Sequence, residues 1–235
     1  MTTQEFSNQF DTLTSSYYSK PEFGNIDYIA FDEYEKSVFL TEAQEEIILE
    51  LYSGKNSFGD SFEKTEEVRR FISNLIVTYE SKDKLNNFKG ISENSTFFSI
   101  PEDALFITYE AVVFDDERLG CRNKEMGVVI PVTQDDFFKI QKNPFRGPGK
   151  GRVLRLDNSN NIIEIITDYN IISYLVRYLR KPNPIILEDF SDEVSINGKS
   201  NKTECELNPI IHNIILERAV RKALTSRSLV SNIKE

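Results

Sequence analysis

Residues 174–190 read YLVRYLRKPNPIILEDF. The first half has the β-branched and aromatic content of a strand. Pro182 and Pro184 close it, because proline cannot donate to a strand ladder. Side chains alternate faces along a strand, so Tyr174, Val176, Tyr178 and Arg180 share one side. Leu175, Arg177, Leu179 and Lys181 share the other. A charged side chain held inside a fold needs a partner, so Arg177 either pairs with a carboxylate or keeps its charge in water at the end of an apolar stem.

Upstream of this stretch the chain is rich in strands. VLRLD (153–157) and IIEIIT (162–167) flank Asn158-Ser159-Asn160-Asn161 and read as a hairpin. ALFITYEAVVF (104–114) and Gly127 to Val132 are further strands. Thr133 is placed to cap a short helix carrying Phe137, Phe138 and Ile140. Residues 82–95, KDKLNNFKGISENS, read as a polar loop.

Before residue 82 the periodicity is helical. Phe6, Phe10, Leu13 and Tyr17 form one stripe, ended by Lys20-Pro21 and Gly24. A short helix is expected over 32–40. A second starts at Thr41, with Gln44 completing a capping box, an apolar face at Ala43, Ile47, Ile48 and Leu51, and a stop at Gly54. Thr65 can cap another helix with Val68, Phe71, Ile72, Leu75 and Ile76 on one side. Downstream, Asn208 and Pro209 open a last helix with a broad apolar face from Ile210 to Leu224.

Helices, then strands, then a helix make the class α+β. The expected organisation is an N-terminal helical region (1–93), a β-rich region (94–200), and a C-terminal helix and tail (201–235) packing with the first.

The chain has 235 residues and a net charge of −10. Residues 1–120 carry 24 acids and 10 bases, and residues 121–235 carry 14 acids and 18 bases. An acidic balance argues against general nucleic-acid binding, which relies on a clustered basic footprint. Cys121 and Cys205 have no paired spacing, so neither a zinc knuckle nor a disulfide framework is expected. His212 is the only histidine, which disfavours histidine-based metal sites. The N-terminus has no secretory pattern, and no apolar run is long enough to span a membrane.

NPFRGPGKGR (143–152) superficially resembles a phosphate loop. Gly149-Lys150 is followed by Gly151 rather than Ser or Thr, and a strand follows rather than a helix, so the amides lack a helix terminus to aim at an anion. A mobile glycine-rich loop is expected, with Arg146, Lys150 and Arg152 as possible loop or channel contacts. Asp115-Asp116-Glu117 and Asp135-Asp136 lack a calcium-loop pattern and read as turns and helix starts. His212 has Glu206 nearby but no accompanying nucleophile motif. No catalytic residue, metal or cofactor is expected.

Three segments carry a family resemblance: FDEYEKSVFLTEAQEEIILELYSG (31–54), YLVRYLRKPNPIILEDF (174–190) and ECELNPIIHNIILERAVRKAL (204–224). Together they resemble the structural ring proteins below the portal of short-tailed, crAss-like bacteriophages infecting Bacteroidetes. The resemblance implies a virion structural protein, made in the host cytoplasm. It implies a homo-oligomeric ring, twelvefold like the portal, that meets the portal and neighbouring ring or tail proteins. Genomic DNA would pass through without specific binding.

In that setting Arg177, Tyr178, Arg180 and Lys181 become interface residues. Leu229 and Val230, in the tail SRSLVSNIKE, would add as a strand to a partner's sheet. Two rivals remain. One is a nucleotide or small-molecule enzyme using Lys150, Arg152 and Asp168. The other is a monomeric nucleic-acid module using Arg218, Arg221 and Lys222.

Overall fold

The computed structural model describes residues 1–18, 30–55, 61–62, 65–159, 161–191 and 193–232, with side chains described for all but Tyr18 and 228–232. The expected stop at Lys20-Pro21 and Gly24 lies outside the described residues. The chain forms two compact units, Met1–Leu75 with Pro182–Glu235, and Ile76–Lys181. The seams therefore fall at 75/76 and 181/182, where the sequence reading puts them at 93/94 and 200/201. Sheet pairing sets the first seam, since the strand beginning at Ile76 hydrogen-bonds with the one ending at Arg180.

The first unit is helical: α1 (Thr3–Tyr18), α2 (Glu33–Ser53), α3 (Glu66–Ile72) and, much later in the chain, α5 (His212–Asn232). Phe6 and Phe10 of α1 are fully buried, as their spacing predicts. α5 buries Ile215, Leu216, Ala219, Val220, Ala223 and Leu224 and packs on α1 and α2. Each buried Ile, Leu or Val among them contributes roughly 1.5–3 kcal/mol by leaving water.

α2 corrects the expectation of two helices. It is continuous, and its cap is Asp32, whose carboxylate accepts from Glu35 N at 2.7 Å while the Glu35 carboxylate accepts from Asp32 N. Thr41 is mid-helix and buried. Its hydroxyl accepts a hydrogen bond from Ile185 N at 3.1 Å. Ser37 Oγ likewise accepts from Leu187 N at 3.0 Å, and Gln44 Nε2 donates to Asn183 O at 2.8 Å. Residues 183–187, the second half of the opening stretch, therefore lie along α2. Ser37, Thr41 and Gln44, spaced along one helix face, satisfy backbone groups that have no strand to pair with.

At the far end Gly54 closes α2 in the left-handed region (φ 79°), which glycine enters without a Cβ penalty. Thr65 occupies the cap position of α3 but makes no cap hydrogen bond, and its buried hydroxyl has no partner among the described residues. Asn208 does cap, accepting from Ile210 N at 3.1 Å at the start of a 3₁₀ turn that leads into α5.

The second unit is a seven-stranded sheet with α4 (Phe137–Gln141) inserted. Its strands are β1 (Ile76–Ser81), β2 (Ser95–Ser99), β3 (Ala104–Phe114), β4 (Met126–Pro131), β5 (Arg152–Asp157), β6 (Ile162–Ile166) and β7 (Ile171–Arg180). Their spatial order is β1-β7-β3-β4-β5-β6-β2, antiparallel except for β4 with β5. The expected hairpin is β5–β6, with Leu154 opposite Ile166 and Asp157 opposite Ile163. Ile76, expected on the helix that follows Thr65, instead opens β1, and Ser95, expected to end the polar loop, opens β2. Thr133 does not cap α4, whose cap position is held by Asp136 without a side-chain cap bond.

Phe98 of β2 stacks on Tyr174 of β7 with ring centroids 5.8 Å apart. The two strands stand five places apart in the sheet, so the sheet curls until its inner face closes on itself. Val112, Phe114, Val153, Ile163 and Ile165 fill that interior. On the outer side, α4 sets Phe137 against Leu154, Leu156 and Ile166.

Candidate functional site

The interior of the curled sheet encloses the ion pair of Arg155 with Glu110, and Arg155 also reaches the exposed Asp157 carboxylate at 3.2 Å. Arg155 of β5 donates through Nη1 to Glu110 Oε1 of β3 at 2.7 Å, and Tyr174 OH donates to Glu110 Oε2 at 2.7 Å. Arg155 and Glu110 side chains are 10% and 8% exposed. Burial pushes the Glu110 carboxyl above its ordinary range, against the pull of the Arg155 guanidinium and the Tyr174 hydroxyl. Burial also raises the Tyr174 hydroxyl. The arginine that needs a buried carboxylate is thus Arg155, which the sequence reading passed over. The signal was present: VLRLD and ALFITYEAVVF each carry one charged residue inside an apolar strand.

Arg177 lies on the outer face. It is exposed, and its Nε donates to Thr78 Oγ1 at 3.3 Å. Tyr109 pairs with it across the β3–β7 register and is 50% exposed. On the same outer face of β4, Met126 and Val128 are 61% and 62% exposed. Arg180 donates to the Lys181 carbonyl at 3.2 Å, and the Lys181 amide donates to Asp103 O at 2.7 Å. Tyr178 differs from its neighbours. It is 3% exposed in the sheet interior, and its hydroxyl donates to Asp103 Oδ1 at 3.1 Å. Burial pushes that hydroxyl up to about 12. Its side chain serves its own unit, because inward parity on β7 puts it with Tyr174 and Val176.

The glycine segment is a knitted turn rather than a loose loop. Asn143 Oδ1 accepts from Phe145 N and Arg146 N, and Gly147 N donates to Asn143 O at 2.7 Å. A Cβ at Gly147 would come within 2.7 Å of Gln141 O and 2.8 Å of Asn143 O, so only glycine fits. Arg152 donates to the Gly147 and Phe145 carbonyls, and its guanidinium holds the turn closed. Lys150 and Arg146 point to solvent. The Asp168 carboxylate accepts from Asn94 Nδ2 at 2.8 Å. Arg152 and Asp168 are therefore occupied by separate structural bonds, which do not converge on a substrate.

The other candidates also have structural partners. Asp116 caps a 3₁₀ turn, and the Arg118 guanidinium on its carboxylate holds it well below the usual range. Among the described residues no group of three or more His, Cys, Asp or Glu is placed to hold a metal. His212 is 3% exposed, with Nε2 at 2.9 Å from Leu207 O and Nδ1 at 2.8 Å from the Met1 amino nitrogen. Burial holds its imidazole below the ordinary histidine value. Burial pushes the Cys205 thiol up to about 11.

Three bases of α5 face carboxylates of α2. Arg218 meets Glu50 at 2.7 Å, Lys222 meets Glu42 and Glu46 at 2.9 and 2.7 Å, and Arg227 meets Glu35. Of Arg218, Arg221 and Lys222, on which the nucleic-acid reading depends, Arg218 and Lys222 join the two helices and Arg221 is exposed. The tail is also different from the expected strand, because α5 continues to Asn232. Leu229 and Val230 lie within that helix, and their side chains fall outside the described set.

No helix among the described residues is long and apolar enough to cross a membrane. The family described as "Phage tail ring protein 3/4" matches residues 1–235. "Ring protein 3" of Bacteroides phage crAss001 is 50% identical over 236 residues, covering 100% of both chains. "Ring protein 4/5" of the same phage is 35% identical over 235 residues, covering 95% of this chain and 92% of its own. With the family model matched over residues 1–235, the chain belongs to the phage tail ring protein 3/4 family.

Proposed function

We propose that this chain assembles as a closed ring in the tail stack of a crAss-like phage, below the portal, and extends the DNA channel from capsid to tail. The observation that carries the reading is the 50% identity to Ring protein 3 across both full chains. The two relatives come from one phage and bear different ring numbers. That pairing supports a stack of related rings, with this chain in the place of the third. Twelve subunits, matching the portal, is the expected stoichiometry.

Arg177, Arg180 and Lys181 carry contacts to a neighbouring subunit or ring in this reading. Exposed Tyr109, Val128 and Met126 on the same sheet supply apolar area beside the exposed Arg177. Aromatic and methionine side chains next to arginine are enriched in interface cores. The net charge of −10 suits a channel wall that must let DNA slide rather than hold it.

Light scattering and negative-stain imaging of the protein, alone and mixed with its phage's portal protein, test this. A twelvefold ring in either sample is the expected result, and a monomer in both overturns the reading. Arg180→Glu with Lys181→Glu should weaken ring assembly while the melting temperature of the monomer stays unchanged.

A further inference from the structure

We propose that the ring closes by seating Phe145 and Arg146 of one copy in the Tyr34–Phe190 groove of the next. The inference rests on the ring reading and deepens it by naming the two surfaces that meet. Phe145 is 84% exposed, more than any other large apolar side chain described. It stands on a turn held by Asn143 and by the Arg152 guanidinium, so little conformational freedom remains to be lost on binding. Residues 137–152 around it carry five bases and no carboxylate.

The helical unit offers a complementary receptor. Tyr34 and Phe190 pack edge to face, 5.4 Å between centroids. They line a groove of about 560 Å³ with Asp32 and Glu193 beside them and, among the described residues, no base. That volume is ample for one phenylalanine side chain. The aromatic walls suit the Phe145 ring, since edge and offset contacts between rings add to area burial. The carboxylates suit the Arg146 guanidinium.

Charge separates the two surfaces further. Met1–Leu75 and Pro182–Glu235 together hold 23 acids and 13 bases, which is the chain's whole net charge of −10. Ile76–Lys181 holds 15 of each and is neutral. A plug on one unit and a socket on the other make a heterologous contact, the kind that generates a ring when the rotation closes.

Three variants test the contact: Phe145→Ala, Arg146→Glu, and Arg146→Glu combined with Glu193→Arg. Each is compared with the wild type by sedimentation velocity across a protein dilution series. A melting curve and a DNA-binding assay at two salt concentrations accompany each. Loss of an anchoring aromatic side chain should raise the half-assembly concentration by at least about tenfold. Arg146→Glu should do likewise, and the charge-swapped pair should recover most of the loss, all with unchanged melting curves. A wild-type ring that Phe145→Ala and Arg146→Glu leave intact overturns this contact and keeps the ring reading. A ring left intact by Arg146→Glu but with weakened DNA binding overturns it in favour of a channel contact to phosphate. A wild type that forms no ring, alone or with the portal, overturns the ring reading and this contact together.

Discussion

The helical and sheet units solve the same problem, burying a core in a heavily charged chain, in different ways. The helical unit encloses one charge, Lys36, whose side chain is 4% exposed but reaches partly exposed Asp11 and Glu33, and it keeps the ion pairs between its long helices at the rim. Arg218, Lys222 and Arg227 of α5 bridge to carboxylates of α2 at partly exposed positions, where water and salt screen them. The sheet unit is neutral in sum, yet it places Glu110 and Arg155 where both are almost fully enclosed. Rim pairs stabilise little and tolerate change. A buried pair stabilises little over an apolar substitute, but breaking it strands a charge. The difference teaches that the number of ion pairs says less than where they sit.

Removing half of the buried pair should therefore have the largest effect. Glu110→Ala removes the enclosed partner of Arg155, leaves its guanidinium only the exposed Asp157 carboxylate, and should destabilise the sheet unit by about 3–5 kcal/mol in urea unfolding. Glu110→Leu with Arg155→Met should recover most of that loss. If the single variant costs no more than a rim substitution, the contrast between the units collapses.

Next in size is Thr41→Val. It keeps the shape but leaves the Ile185 amide, deep in the helical unit, without an acceptor. A cost of about 1–3 kcal/mol is expected, together with faster hydrogen exchange at Ile185. Smaller again is Lys222→Ala at the rim. It should cost under about 1 kcal/mol, and the cost should shrink in high salt.

The last prediction concerns slope with pH. Burial lowers the His212 pKa in the folded state below the ordinary value of 6.5. From pH 6.5 downward the unfolded chain takes up a proton that the folded chain rejects, so acid favours unfolding. Stability should fall as pH drops below 6.5 toward the lowered folded value. His212→Gln should flatten that part of the melting profile. The same melts followed through a sheet-unit probe should show no His212-dependent slope if the units respond separately.

Local signals carried much of the architecture. The stripes in α1, α2 and α5, the β5–β6 hairpin, and the strands β3, β4 and β7 follow from periodicity and turn residues close in sequence. Misreadings occur where distant pairing decides. Ile76 continues the helical spacing of Phe71, Ile72 and Leu75, and it becomes a strand only because Leu179 lies opposite it. Thr41 has the chemistry of a cap, but the amide it satisfies lies 144 residues away. The alternating tail around Leu229 is helical, because each added residue extends a helix already nucleated.

By itself the sequence determined the α+β class, the element types with strong local periodicity, and a family resemblance built from three separated segments. Those properties depend on neighbours within a turn or a strand, or on motif order along the chain. Tertiary structure alone decided the strand order, the curl that brings Phe98 onto Tyr174, and the enclosure of Glu110 with Arg155. It also decided that residues 183–187 lie along α2. These depend on which distant residues meet. No local pattern encodes that, because many pairings bury similar apolar area and only packing of the whole chain selects among them.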